Sequence, residues 1–252
     1  MGGDCVAAAA VDEEPGRVYD PGMRRAFKIA GWFVVLLLVI LATTAFVLYR
    51  GTQHVPEFYA QALAPTLPPA EQVKLGDEFE RETLELHNHA TQIGRWEATF
   101  TDDEVNAWLA NQLPQNYPRA LPPGVGSPRV QISPALVQVA CRYEGEPFQA
   151  VISLAAEVHL TDKPNQVAIR VRSIRAGWVP LPLKQFLDTV TEAARRNGLE
   201  LVWSQTDGDP VALFQIPSRH AQYQYREIRI DTIEVQDGKL RLGGHTDYAS
   251  DG

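Results

Sequence analysis

The chain has 252 residues, with 23 basic and 31 acidic side chains, a formal net charge of −8, 45% hydrophobic residues and two cysteines. Beyond residue 50 the balance is 26 acids against 18 bases, which excludes the broad cationic surface that nucleic acid or an anionic bilayer selects. Cys5 and Cys141 lie on either side of the apolar run described below, so no intrachain disulfide or cysteine zinc site is expected.

Residues 1–28 carry an alanine run at 7–10, the acids Asp12, Glu13 and Glu14, and the turn pairs Pro15-Gly16 and Pro21-Gly22. Without an apolar period they read as a disordered cytoplasmic tail. The opening Met1-Gly2-Gly3-Asp4-Cys5-Val6 matches half of a myristoylation signal, with Val6 where Ser or Thr is required. Residues 29–49 follow as 21 uncharged positions, Ile29 to Tyr49. At ~1.5 Å per residue they reach about 31 Å, the thickness of a bilayer's hydrocarbon core. No polar face interrupts the run, so a transmembrane helix is expected rather than a soluble core helix. Arg24, Arg25 and Lys28 flank it on one side and Arg50 alone on the other. The positive-inside rule then predicts a cytoplasmic N-terminus and an extracytoplasmic main domain. The run is longer than a cleavable signal's apolar region and Leu48-Tyr49-Arg50 follows it, so it is expected to stay attached.

Residues 50–69 hold Pro56, Pro65, Pro68 and Pro69 and read as a stiff extended spacer. Residues 70–94 read as an amphipathic helix whose stripe contains Leu75, Phe79, Leu86 and Ile93. That stripe packs on its own domain, or docks a partner or a second copy.

Residues 95–245 are expected to form an α+β domain of antiparallel sheet packed on amphipathic helices. A strand at 95–100 runs into Thr101-Asp102-Asp103-Glu104, a capping box that opens a helix carrying Val105, Trp108, Leu109 and Leu113, with Pro114 expected to close it. Strands are expected at about 130–133 and 136–144. The clearest alternation is Ala150 to Thr161, with Ile152, Leu154, Ala156, Val158 and Leu160 on one face and Ser153, Glu157 and His159 on the other. Across the turn Asp162-Lys163-Pro164-Asn165, pairing Leu160 with Val167 keeps the apolar faces together and sets Glu157 opposite Arg170. A helix with Leu183, Phe186, Leu187, Val190 and Ala194 follows, ended by Asn197-Gly198. Short strands at 199–204 and 211–216 and a hairpin of 225–235 with 239–242 complete the domain, leaving 246–252 as a flexible tail.

The chain has no Gly-x-Ser-x-Gly elbow, Walker loop, dinucleotide glycine fingerprint or His-Glu-x-x-His pair. No catalytic residues, metal or cofactor are therefore expected. His87-Asn88-His89 puts its two histidines on different sides of a helix, and Asp207-Gly208-Asp209 suits a turn better than a calcium loop. Arg170, Arg172 and Arg175 gather near Arg142 as an anion contact, unless Glu157 and Glu144 neutralise them in a cross-strand charge face.

The single N-terminal span, the helix start Phe100-Thr101-x-x-Glu104-Val105-Asn106-x-Trp108-Leu109, the long alternating strands and the entry Gly177-x-x-Pro180-Leu181-Pro182 together resemble membrane-anchored bacterial ectodomains of the YpmS kind. More distantly they are similar to tubular lipid-binding folds. The resemblance covers about residues 95–216 and implies a curved antiparallel sheet around an apolar groove. No functional residue transfers with it. Two functional expectations follow. One is a non-catalytic binding module for lipid or another apolar ligand, with Leu183, Phe186, Leu187, Val190, Ile152, Leu154 and Val158 lining the groove. The other is a scaffold subunit of an envelope assembly docked through Leu75, Phe79, Leu86 and Ile93.

Overall fold

The computed structural model describes residues 21–64, 67–145, 148–196, 200–218 and 226–249. Most of the expected tail, the Asn197-Gly198 helix stop and the myristoylation-like start lie outside the described residues.

Helix α1 runs Pro21–Thr52, so residues 21–28 are helical rather than tail. It is the one helix among the described residues long and apolar enough to cross a membrane. The chain divides into two units within this helix, between Val47 and Leu48.

The second unit is α+β. Its first element, α2 (Glu57–Leu63), occupies the stretch expected as an extended spacer. Pro56 stands immediately before it, where a fixed φ favours a helix start, and its carbonyl accepts from Ala60 N at 3.0 Å. Helix α3 (Pro69–Ala90) lies against β1 (Gly94–Thr101) and α4 (Asp102–Asn116). The predicted capping box is present: Thr101 Oγ1 accepts from Glu104 N at 3.2 Å, and Glu104 Oε2 from Thr101 N at 2.8 Å. Helix α4 passes beyond Pro114, because Tyr117 N still reaches the Leu113 carbonyl at 2.9 Å.

The strands are β2 (Val125–Ser133), β3 (Leu136–Gly145), β4 (Phe148–Leu160), β5 (Gln166–Ala176), β6 (Val179–Pro180), β7 (Leu201–Thr206), β8 (Asp209–Gln215), β9 (Arg226–Gln236) and β10 (Lys239–Tyr248), with α5 (Leu183–Arg196) between β6 and β7. The larger antiparallel sheet has the order β2-β3-β4-β5-β8-β7, with β6 paired to β5, and the smaller has β1-β10-β9. The β4–β5 hairpin has the predicted register, Leu160 opposite Val167 and Glu157 opposite Arg170. A β-bulge then intervenes: Ala156 faces Val171 and Ala155 faces Ser173, leaving Arg172 as the extra residue. Strand β10 extends six residues past the expected end, so Thr246 to Tyr248 are strand rather than tail.

Two polar side chains join the sheets. Asn165, in the β4–β5 turn, donates through Nδ2 to the Ile228 carbonyl at 2.7 Å and accepts at Oδ1 from Ile230 N at 2.8 Å. Asp102 accepts at Oδ2 from Ile132 N at 3.2 Å, while its own N–H donates to the Gly238 carbonyl at 3.1 Å.

Candidate functional site

The site is built on the face of the larger sheet that carries the polar half of the β4 alternation. Residues directly opposite in an antiparallel sheet share a face, so register alone assembles two adjacent rows. Gln131, Gln138, Ala155 and Ser173 form one across β2, β3, β4 and β5; Arg129, Ala140, Ser153 and Arg175 form the next. The bulge at Arg172 decides the β5 contribution. With strict alternation Ser173 and Arg175 would share the apolar face with Val171, and the extra residue turns them to the polar one.

Helix α2 closes one side of this face. Its Tyr59 is fully buried in a cluster with Ala140 and Val151, against which Phe58 and Leu63 pack. Tyr59 Oη donates to the Ser127 carbonyl at 2.8 Å, and Arg129 Nε to the Ala62 carbonyl at 3.1 Å. Burial raises the Tyr59 phenol pKa, opposed by the charges of Arg142 and Arg129. The same desolvation lowers the Arg129 pKa. The β5–β6 turn closes the opposite side. Gly177 has φ +60°, and a Cβ there would collide with the Gly51 carbonyl, so only glycine brings the turn that near the last turn of α1. Trp178 N donates to the same carbonyl at 3.3 Å, and the Trp178 and His54 rings form a T-shaped pair with centroids 6.4 Å apart.

Between these walls lies an open cavity of about 600 Å³. Gln131, Gln138, Ser153, Ser173 and Arg175 line it and have no side-chain hydrogen bond or ion pair among the described residues. Glu57, on the α2 side, accepts from Gln61 Nε2 at 3.3 Å. Trp178 is at the mouth with 59% of its surface exposed. Such a lining offers many neutral donors and acceptors, one unpaired guanidinium and one largely exposed indole.

The three expected anion-binding arginines separate into two groups. Arg172 pairs with Glu157 and Asp209, each at 2.7 Å, and Arg170 with Asp209 at 2.9 Å and Asp207 at 3.2 Å. Hydrogen bonds from Arg172 first, and then Arg170, hold the Asp209 carboxyl below the usual carboxylate range. Arg170 and Arg172 are thus taken up by three acids in a cross-strand charge cluster, the alternative to an anion contact. Arg175 alone remains available.

Of the expected apolar lining, Ile152, Leu154 and Val158 share the other face of β4, and Leu183, Phe186, Leu187 and Val190 lie on α5. All seven are half-buried. Helix α5 touches the edge strand β7, where Trp203 Nε1 donates to Thr191 Oγ1 at 2.7 Å. Leu154 borders the polar cavity only as the residue between Ser153 and Ala155 on β4, and the other six do not line it.

The expected docking stripe is largely consumed inside the domain. Phe79 packs its ring at 5.4 Å from Phe100 and 5.7 Å from Trp108, and Leu75 and Leu86 are half-buried. Ile93, beyond the helix, stays 44% exposed. Burial raises the Cys141 thiol pKa, as suits a packing thiol. Among the described residues no group of three or more His, Cys, Asp or Glu is placed to hold a metal ion.

Sequence reasoning missed α2 and the cavity. The signal for α2 was Phe58, Tyr59 and Leu63 inside a segment judged by its prolines. The signal for the cavity was the polar alternation itself, which reads as a solvent face until something covers it.

Fold and site together define a chain with one apolar helix followed by an antiparallel sheet domain with a polar cavity. Comparison with protein-family models, with curated proteins and with solved structures gives no match.

Proposed function

We propose that this protein is a membrane-anchored, non-catalytic binding module whose ligand enters the polar cavity between α2 and the larger sheet. The observation that carries this reading is the set of five unpartnered polar side chains on the cavity floor. Four of the five are half-buried and Arg175 is exposed, so all are open to a ligand that enters the cavity and replaces their water. The ligand is therefore polar, in place of the apolar cargo that the resemblance to tubular lipid-binding folds implied. The anchor is the span Ile29 to Tyr49. The basic flank Arg24, Arg25 and Lys28 supports a cytoplasmic N-terminus, with the binding domain outside the cytosol. His54 lines the cavity two residues beyond Thr52, the last residue of α1, so ligand is held close in sequence to the membrane exit.

The test uses the full chain extracted in mild detergent, with mass analysis of small molecules that stay bound through purification. A variant with the floor blocked, Ser153→Phe, is analysed in parallel. A polar compound retained by the parent chain and lost from the variant supports the reading. Identical profiles from two folded proteins would sink it.

A further inference from the structure

Resting on the cavity reading just given, we infer that the ligand is an acidic saccharide: its carboxylate pairs with Arg175, its hydroxyls bond the glutamine and serine floor, and one sugar face stacks on Trp178. Three features of the lining lead there.

The first is the balance of donors and acceptors. Each glutamine amide and serine hydroxyl both donates and accepts, and Gln131, Gln138, Ser153 and Ser173 are all free to do so. A sugar ring presents the same dual groups at short, regular spacing, so both halves of each side chain find partners. A phosphate-based headgroup offers chiefly acceptors, and an acyl chain offers neither.

The second is charge. Arg175 is the one Arg or Lys in the lining, and its guanidinium matches a carboxylate with two parallel hydrogen bonds. Its neighbours Arg170 and Arg172 are neutralised by Asp207, Asp209 and Glu157. The cavity therefore offers a single positive charge, suited to one acidic group per bound unit. Glu57 on the facing helix disfavours a more highly charged ligand.

The third is the open indole. Trp178 is T-shaped to His54 and leaves more than half its surface exposed beside the cavity. An aromatic face of this kind fits the C–H side of a pyranose while the hydroxyl edges reach the floor. A volume of about 600 Å³ lies within the usual range for small-ligand sites, about 300 to 1,000 Å³.

Isothermal titration of the full chain in detergent micelles tests this with two probes: a tetrasaccharide alternating glucuronic acid with N-acetylglucosamine, and the neutral tetramer of N-acetylglucosamine. The acidic probe is expected to bind at least tenfold more tightly. Arg175→Gln should remove that margin while changing neutral binding less than twofold, and Trp178→Ala should weaken both. A third arm offers glucuronosyl diacylglycerol in nanodiscs: binding to this form alone assigns the sugar to a glycolipid, and binding to the soluble tetrasaccharide assigns it to a free glycan. Equal affinity for the two tetrasaccharides with no effect of Arg175→Gln overturns the inference. So does Arg175-dependent binding of glycerophosphoethanolamine in place of either sugar, which leaves the polar cavity reading standing. If no probe binds and no compound co-purifies, both fall.

Discussion

Asn165 keeps φ at +56° in the β4–β5 turn, is 3% exposed, and spends both ends of its amide on the β9 backbone. An alanine there would leave the Ile228 carbonyl and the Ile230 N–H without those bonds and would strain the backbone. We expect Asn165→Ala to cost about 2 to 4 kcal/mol and Asn165→Gly less, measured by denaturant unfolding of the domain. Thr246 has the same character. Its Oγ1 donates to the Ala90 carbonyl at 2.7 Å and accepts from Trp96 Nε1 at 3.2 Å, with the side chain fully buried. Thr246→Val keeps the shape and orphans both partners, with an expected loss of about 1 to 3 kcal/mol. Neither residue was legible in the sequence. Asn165 looked like ordinary turn chemistry and Thr246 sat in a stretch that reads as tail, because the partners of both are 63 or more positions away.

Glu82 supplies a pH-dependent case at the same scale. Its Oε2 is enclosed without a hydrogen-bond partner among the described residues, and burial, with Glu104 adding repulsion, raises its pKa above 4.5. A carboxyl with a raised folded pKa binds more protons folded than unfolded, so its contribution to stability falls as pH rises from about 4.5 through the folded value. Glu82→Gln should therefore raise the melting temperature at pH 7 and have little effect near pH 4. Asp209 has the opposite sign. Its depressed pKa stabilises the fold above about pH 3.9 and that contribution is lost on further acidification.

Among the elements, the strands were the most legible, because a two-residue period with one apolar face admits one register: Leu160 with Val167 and Glu157 with Arg170. The capping box at Thr101 and Glu104 was legible for the same reason, since its chemistry is local. Helix α2 was not. Seven residues give too few turns for a periodic signal, and its stability comes from Tyr59 seated on Ala140 and Val151. Truncation at Tyr59 should accordingly cost about 3 to 5 kcal/mol, the range for large buried aromatics, and should open the cavity wall. Protection of the Ala60 amide from hydrogen exchange would report the second effect. Cys141, on the opposite face of β3, should react slowly with iodoacetamide at pH 7.5, since burial raises its pKa and suppresses the thiolate. Tyr59→Ala should leave that rate unchanged if it disturbs only its own side of the sheet.

For the molecule as a whole, a long apolar helix near the N-terminus was legible, because composition alone identifies 21 uncharged residues in a row, although α1 runs from Pro21 to Thr52 and not from 29 to 49. The cavity was not, because it depends on which face of the sheet a short helix covers. Fusing reporters at either end of the chain should place the N-terminus in the cytosol and the C-terminus outside. Replacing Arg24, Arg25 and Lys28 together with glutamine should weaken that preference.

The extra residue at Arg172 works as a one-letter frameshift in a strand with a binary code. Upstream of it, odd-numbered positions of β5 look toward the grease; downstream, they look toward the cleft. Removing that single position would swap Ser173 and Arg175 with Ile174 and Ala176 while leaving every one of those identities intact. The chemistry offered to a ligand is thus written partly in spacing, and a one-residue deletion could silence recognition as completely as losing the arginine itself.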